Sequence, residues 1–482
     1  MTPANGATVK LINAFLVGLL LGWNTPPTQP SLAITGATVI DVRDGSRIAD
    51  AVVVVDGGRI SAVGAPRDIR IPSAAHIVDA RGRYVIPGLW DVHTHIQNQR
   101  ELDAFLPLLV ANGILGIRDT EGLLPRDFSE LGKRHQYVPH VVACGTYVDG
   151  PAPAGIADAA IVDELADKGV DFIKVGSMLP RERFLAIVSR ASQRGLHVAG
   201  HVPIAVSAAE ASDLGLRTME HLWEILLNIS SREGELRTER LAALGRPLST
   251  AELELVLAFP PTEPLLSTWS DEKASALFRK LVANRTWQTP TLLNFAVRGP
   301  ALGGDSSFWN DPNLALMPKD WVDSWRPDQN QFLSGVPRSE VPGFIRRFEA
   351  THRAQLHLVR RMHAAGVGFL AGTDVSNWNF TVPGVSLHDE LGQFVEAGFS
   401  PLEALQTATI NPTRYLGIED TAGAVGAGKR ADLLILDADP TQDIANTKRI
   451  YAVVLGGSVI DRNELNGMLE AARRQAAKPP GK

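Results

Sequence analysis

Between residues 84 and 374 the chain repeats one pattern: a short apolar run, often ending in a polar residue, then a segment of helical period. The runs expected as strands are Tyr84–His95, Gly113–Asp119, Val138–Tyr147, Val170–Val175, Leu196–His201, Leu216–His221, Trp287–Leu292 and Val367–Asp374. Segments such as Glu101–Ala111, Arg181–Arg194 and Glu349–Ala365 supply the helical period between them. Strand and helix alternating at this spacing make parallel βα units, whose crossovers are right-handed. Eight such units close into a (β/α)8 TIM-type barrel, which needs ~250 residues. The chain has 482, leaving room for additions.

Those additions are legible at both ends. Ala33–Asp41, Ala51–Val55 and Arg59–Gly64 read as short strands divided by turns such as Asp56-Gly57-Gly58. Leu433–Leu436 and Ala452–Gly457 resemble them, so the two ends are expected to build one small β-sandwich with the barrel inserted between. The expected partition is a signal peptide and spacer over 1–30, sandwich over 31–86 and 416–465, barrel over 87–415, and a tail over 466–482. Two stretches interrupt the barrel rhythm, at about 224–284 and 295–345. Trp309, Trp321 and Trp325 mark the second as folded, and long βα loops roof barrel active sites. Ser386 with Asp389, and Ser400 with Pro401 and Glu403, read as capping signals for two late helices.

Composition narrows the class. The net charge of −6, with no long basic run, argues against a nucleic-acid partner. Cys144 is the one cysteine, which excludes an intrachain disulfide and a cysteine-based zinc site. Lys10 precedes an apolar run, Leu11–Trp23, too short for a stable membrane span and suited to a secretory signal. Export to a periplasmic or extracellular space is therefore expected, with cytoplasmic residence the alternative. Oligomeric state is open, a homo-oligomer included.

The chemistry sits at the strand ends. His93 and His95, two apart on a strand, project to one side and make half of a metal site. Lys174, His201, His221 and Asp374 end or nearly end later strands, and in a βα barrel those ends converge on the active face. Six metal-capable groups at one topological position point to a metal centre. Lys174 has no lone pair as an ammonium, so it fits as a carbamate formed with carbon dioxide, or else pairs with an acid such as Asp171. Arg118 and Asp119 either meet substrate or pair with each other, the second preferred. His197 starts its strand, far from the site. His388 reads as structural or supporting, and His140 as surface.

Leu89–His95, Ile173-Lys174-Val175, His201, Glu220-His221 and Ala371–Asp374 resemble the metal motifs of the amidohydrolase superfamily. Pro383–Leu391 and Ala408–Pro412 through Gly428–Leu433 are similar to its imidazolonepropionase-related branch, which includes Xaa-Pro dipeptidase-like peptidases. The resemblance implies two divalent metal ions, zinc first among them, one on His93, His95 and Asp374 and one on His201 and His221. N6-carboxylated Lys174 would bridge them. It implies a hydrolase of carbon–nitrogen bonds, with a metal-bridging hydroxide as nucleophile and Asp374 as general base and acid. The expected substrate is a dipeptide, N-acyl amino acid or similar small amide. The same centre could serve a lactone, carbamate or phosphotriester, and a metal-free scaffold is the non-enzymatic alternative. Cys144–Pro151 departs from the His-rich glycine motif of many relatives. Tyr147 there either steadies an oxyanion or packs at the strand end.

Overall fold

The computed structural model describes residues 31–478 apart from 152–154, 156, 246–247, 249–251, 254–255, 257–261 and 335. The expected signal segment, 1–30, lies outside the described residues. So do the end of the tail and parts of the first interruption.

Two sheet systems divide the chain. The first takes strands from both ends: β1 (Leu32–Ile40), β2 (Arg47–Asp56), β3 (Arg59–Gly64), β4 (His76–Asp79) and β5 (Tyr84–Pro87) come before the barrel. The strands β13 (Leu433–Leu436), β14 (Ile450–Leu455) and β15 (Ser458–Ile460) come after it. Their order is β15-β14-β13-β5-β1-β2-β3, with β4 also paired to β1. The seam between chain ends is β5 against β13, antiparallel, with Pro87 opposite Leu433 and Tyr84 opposite Leu436. Alternation delivers Ile34, Val53, Val85, Leu433, Ile435 and Val454 to one apolar core. Pro87 then ends β5, and Gly88 turns the chain into the barrel where any Cβ would strike Leu115.

The barrel strands are β6 (Leu89–Ile96), β7 (Ile114–Gly122), β8 (His140–Ala143), β9 (Phe172–Val175), β10 (His197–Gly200), β11 (Leu216–Glu220) and β12 (Trp287–Thr289). They pair parallel as β6-β7-β8 and β9-β10-β11-β12. Asp171 N–H donates to Ala143 O at 3.0 Å, and Val148 bridges Val175, joining the two groups. Being buried on both faces, β6 and β9 are apolar except where the site needs otherwise.

The eighth position differs from expectation. Residues 367–375 run between β12 and β6 but form only isolated bridges, Gln288 to Phe369 and Thr94 to Val375. Backbone bonds still close the ring: Leu370 N–H to Gln288 O, Val92 N–H to Ala371 O and Asp374 N–H to His93 O, at 2.9, 3.0 and 2.8 Å. The irregularity has a steric cause. Gly368 lies against the Trp287 ring and Gly372 against His93, and Asp374 is left-handed with φ 56°. A distorted (β/α)8 barrel with a terminal β extension is the result.

Of three local expectations, two need correction. Helix Val385–Glu396 starts from Gly384 at φ 77°, and no Ser386–Asp389 box forms. Ser386 Oγ instead accepts from Val382 N–H, and Asp389 takes Lys448. The Ser400 box is present, with Ser400 and Glu403 bonding each other's backbone and Pro401 at the first turn. His140 is half-buried rather than at the surface, edge-on to Trp90 and 3.0 Å from the Arg430 guanidinium.

The second interruption is packed. Trp321 and Trp325 are buried, and Trp325 Nε1 donates to Asn377 O at 2.8 Å, three residues past Asp374. Among the described residues no helix is long and apolar enough to cross a membrane.

Candidate metal centre

The C-terminal strand ends bring His93, His221 and Asp374 together, with one ligand atom from each within 4.8 Å of the others. All three are buried. The ring of His93 lies 5.2 Å from that of His95 and 4.8 Å from that of His221, and His201 lies 5.1 Å from His221. Asp374 Oδ1 sits between two imidazoles, 2.8 Å from His95 Nε2 and 3.3 Å from His93 Nε2. Lys174, one strand before His201, is buried beside them, and Gly200 leaves the space its side chain crosses, since a Cβ there would come within 3.0 Å of Lys174 Cδ.

The surrounding groups set tautomers. A carboxylate can only accept, so His93 Nδ1–H donates to Glu220 Oε2 at 2.9 Å and its Nε2 carries the lone pair. Thr291 hydroxyl donates its one hydrogen to Pro290 O at 2.8 Å. Its oxygen must therefore accept from His221 Nδ1–H at 2.7 Å, which leaves His221 Nε2 as the free donor of electrons. His201 Nδ1 is 3.0 Å from Ser177 Oγ, and Gln355 holds the His221 carbonyl at 2.9 Å. Asp374 Oδ2 accepts from the amides of Asn294 and Asn379, each at 2.6 Å.

Charge follows from this packing. Burial disfavours the ammonium of Lys174 and lowers its pKa, as it does for His201 and His221, which fall well below the usual imidazole range. His93 drops to about 4 through burial and the neighbouring Lys174. His95 departs from the others: burial would lower it, but Asp374 and Glu121 outweigh that and push it up to about 9. Burial would raise Asp374, yet the surrounding imidazoles hold it well below the carboxylate range.

These residues fit a cation. Lys174 Nζ is buried with no hydrogen-bond partner, and His93 Nε2 and His95 Nδ1 make no hydrogen bond, each meeting only a carboxylate oxygen at 3.3 Å, Asp374 Oδ1 and Glu121 Oε2. Each would cost ~1–3 kcal/mol without a ligand to satisfy it. His221, Leu222, Thr291 and Asp374 all hold left-handed backbone, φ 62°, 61°, 49° and 56°. Such strain, ~1–3 kcal/mol per residue, collects at functional sites.

The other expected residues fall elsewhere. Tyr147 is half-buried, its phenol pushed up to about 12 by burial and by Asp149 and Glu121, and among the described residues no hydrogen bond ties it to the cluster. Arg118 does not pair with Asp119; it reaches across the barrel to Glu220 at 2.7 Å, while Asp119 accepts from Thr94 Oγ1 and Ile96 N–H. Asp171 takes Ala143 N–H rather than Lys174. His388 is buried against Thr447 and Asn112 O, and His197 is exposed at its strand start. The supporting residues Glu220, Thr291, Asn294, Gln355 and Asn379 carry no sequence signal of their own, except that Glu220 directly precedes His221.

Residues 332–460 match the model of the Amidohydrolase family. Adenine deaminase 3 of Rhizobium meliloti (strain 1021) is 22% identical over 413 residues, 84% of this chain. Over residues 332–460 the chain is similar to the amidohydrolases. The match spans about half, 54%, of that relative's own length. Among solved structures, this chain shares its fold with a bottromycin amidohydrolase, TM-score 0.66 at 22% identity, covering 95% of this chain and 92% of that one. A putative prolidase from Bifidobacterium longum gives TM-score 0.63 at 22% identity, covering 92% and 100%. The His93–His221–Asp374 cluster is arranged to hold a metal ion, and its Asp374 lies within the matched segment.

Proposed function

We propose that this protein hydrolyses a small amide, such as a dipeptide or N-acyl amino acid, at a two-metal centre. His93, His95 and Asp374 would hold one divalent cation, His201 and His221 the other, with Lys174 carboxylated between them. The observation that carries the reading is the buried His93–His221–Asp374 cluster beside the unpartnered Lys174 Nζ, at one end of the barrel. Divalent cations, zinc the first choice, supply Lewis acidity toward a carbonyl and a lowered pKa for water. The protein supplies the rest. Glu220 and Thr291 fix which nitrogens of His93 and His221 face the centre. Asp374 has one oxygen clamped by two amides and the other facing the imidazoles, so it is placed to take a proton from water and return it to the leaving amine. Tyr147, on the loop after β8, is the proposed oxyanion donor.

Support for the substrate class comes from proteins this chain resembles in fold, whose printed names include prolidase and amidohydrolase. The sequence relative is named for adenine deamination, so adenine belongs in the test. Zinc-loaded protein should turn over members of a dipeptide and N-acyl amino acid library, and lose that activity on chelation. Faster turnover of adenine, lactones, carbamates or phosphotriesters than of any amide refutes the assignment. Full activity without metal refutes the centre.

A further inference from the structure

Glu390 is buried inside helix Val385–Glu396, at 0% exposure, and no ion pair meets it among the described residues. Its two oxygens accept from the backbone N–H groups of Leu292 and Leu293, at 3.0 and 2.7 Å. Those amides open helix Leu292–Gly303 and have no partner within it. Burial pushes the Glu390 carboxyl up to about 8, so this placement works against ordinary solvation. What it secures is the turn just before the helix. Thr291 there holds φ 49°, which a β-branched residue rarely adopts. The Thr291 hydroxyl receives His221 Nδ1–H, and three residues on Asn294 donates to Asp374 Oδ2. One strained turn thus reaches two of the three clustered ligands, and Glu390 grips that turn from behind.

We infer that Glu390 is a positioning residue, holding the Leu292 and Leu293 amides so that Thr291 and Asn294 orient His221 and Asp374 toward a metal. This rests on the metal-centre reading above. An apolar side chain at 390 would fill the core but leave both amides unpaired and the Thr291 turn free to relax. Glutamine keeps the volume and one accepting oxygen but turns an N–H toward one of the amides. Aspartate keeps the carboxyl but withdraws it by one methylene.

Zinc affinity would be measured by competition with a chromophoric chelator for the full chain, Glu390→Gln, Glu390→Asp, Asn294→Ala, the Glu390→Gln/Asn294→Ala pair and His221→Ala. The thermal midpoint of each metal-free protein is taken alongside. Glu390→Gln and Glu390→Asp should each weaken zinc binding on the order of tenfold, the scale of lost support behind a ligand. Asn294→Ala should cost less in the Glu390→Gln background than alone, because both act through one turn. Unchanged zinc affinity in both position-390 variants, with His221→Ala weakened, overturns the positioning role even if their midpoints fall. Strictly additive losses overturn it as well. Unchanged affinity in His221→Ala overturns the metal reading instead, so the two failures are distinct.

Discussion

Glu220→Gln separates a structural pair from a metal-supporting one. Both side chains of the Arg118–Glu220 pair have 0% exposure and lie 2.7 Å apart. Glu220 also accepts from Thr218 Oγ1 at 2.6 Å and from His93 Nδ1 at 2.9 Å. Neutralising it leaves a guanidinium buried without its counter-charge, which costs ~3–5 kcal/mol. Arg118 keeps the acceptors Val92 O, Thr218 and Tyr415, so the loss belongs at the low end, about 3 kcal/mol. Denaturant unfolding of the metal-free protein reads it. Glu130→Gln is the control: its pair with Lys133 is 68% and 66% exposed and should cost no more than ~0.5 kcal/mol. The double variant Arg118→Met/Glu220→Met removes both charges and should recover at least about 2 kcal/mol relative to the sum of its singles. Metal affinity should fall roughly tenfold in Glu220→Gln, since an amide oxygen can still accept from His93 Nδ1–H but more weakly than a carboxylate does. A loss no larger than the control's, or singles that simply add, would refute the account.

Lys174→Ala should leave the His93, His221 and Asp374 cluster but lower the bound metal from about two per chain toward one by elemental analysis, with activity down at least about a hundredfold. Native mass spectrometry should find carbon dioxide's mass on the loaded wild type and not on the variant. Gly372→Ala places a Cβ 2.7 Å from His93 Cβ and from Thr289 Cγ2, so His93 must move and zinc affinity should fall while the far β sheet stays folded. Ser400→Ala removes a formed capping box and should cost ~1 kcal/mol in denaturant unfolding with zinc affinity unchanged.

What the sequence discloses and what it withholds divide along one physical line. Periodicity states which way a side chain faces, and so the strand ends carrying His93, His95, Lys174, His201, His221 and Asp374 could be aligned on one face before any coordinates. It does not state who meets whom across the barrel. Arg118 sits next to Asp119 in the chain, but neighbours on a strand point to opposite faces, so its partner is Glu220, four strands away. The same reasoning explains the eighth position. Val367–Asp374 is apolar enough to read as a strand, yet Gly368 and Gly372 are there because Trp287 and His93 fill the space a side chain would take. Ser386 offers a capping hydroxyl, but Gly384 in the left-handed region sets the helix start and leaves that hydroxyl to Val382. At the centre itself, Thr291, Asn294 and Asn379 are common polar residues. They become meaningful only when the chain sets Thr291 on His221, 70 positions back, and Asn294 and Asn379 on Asp374, 80 positions after the first and 5 before the second. A ligand set can therefore be read from strand ends, while the shell that orients it is a property of the closed barrel. That is why the tests above concentrate on Glu220 and Glu390, whose only route to the reaction is through the residues they hold in place.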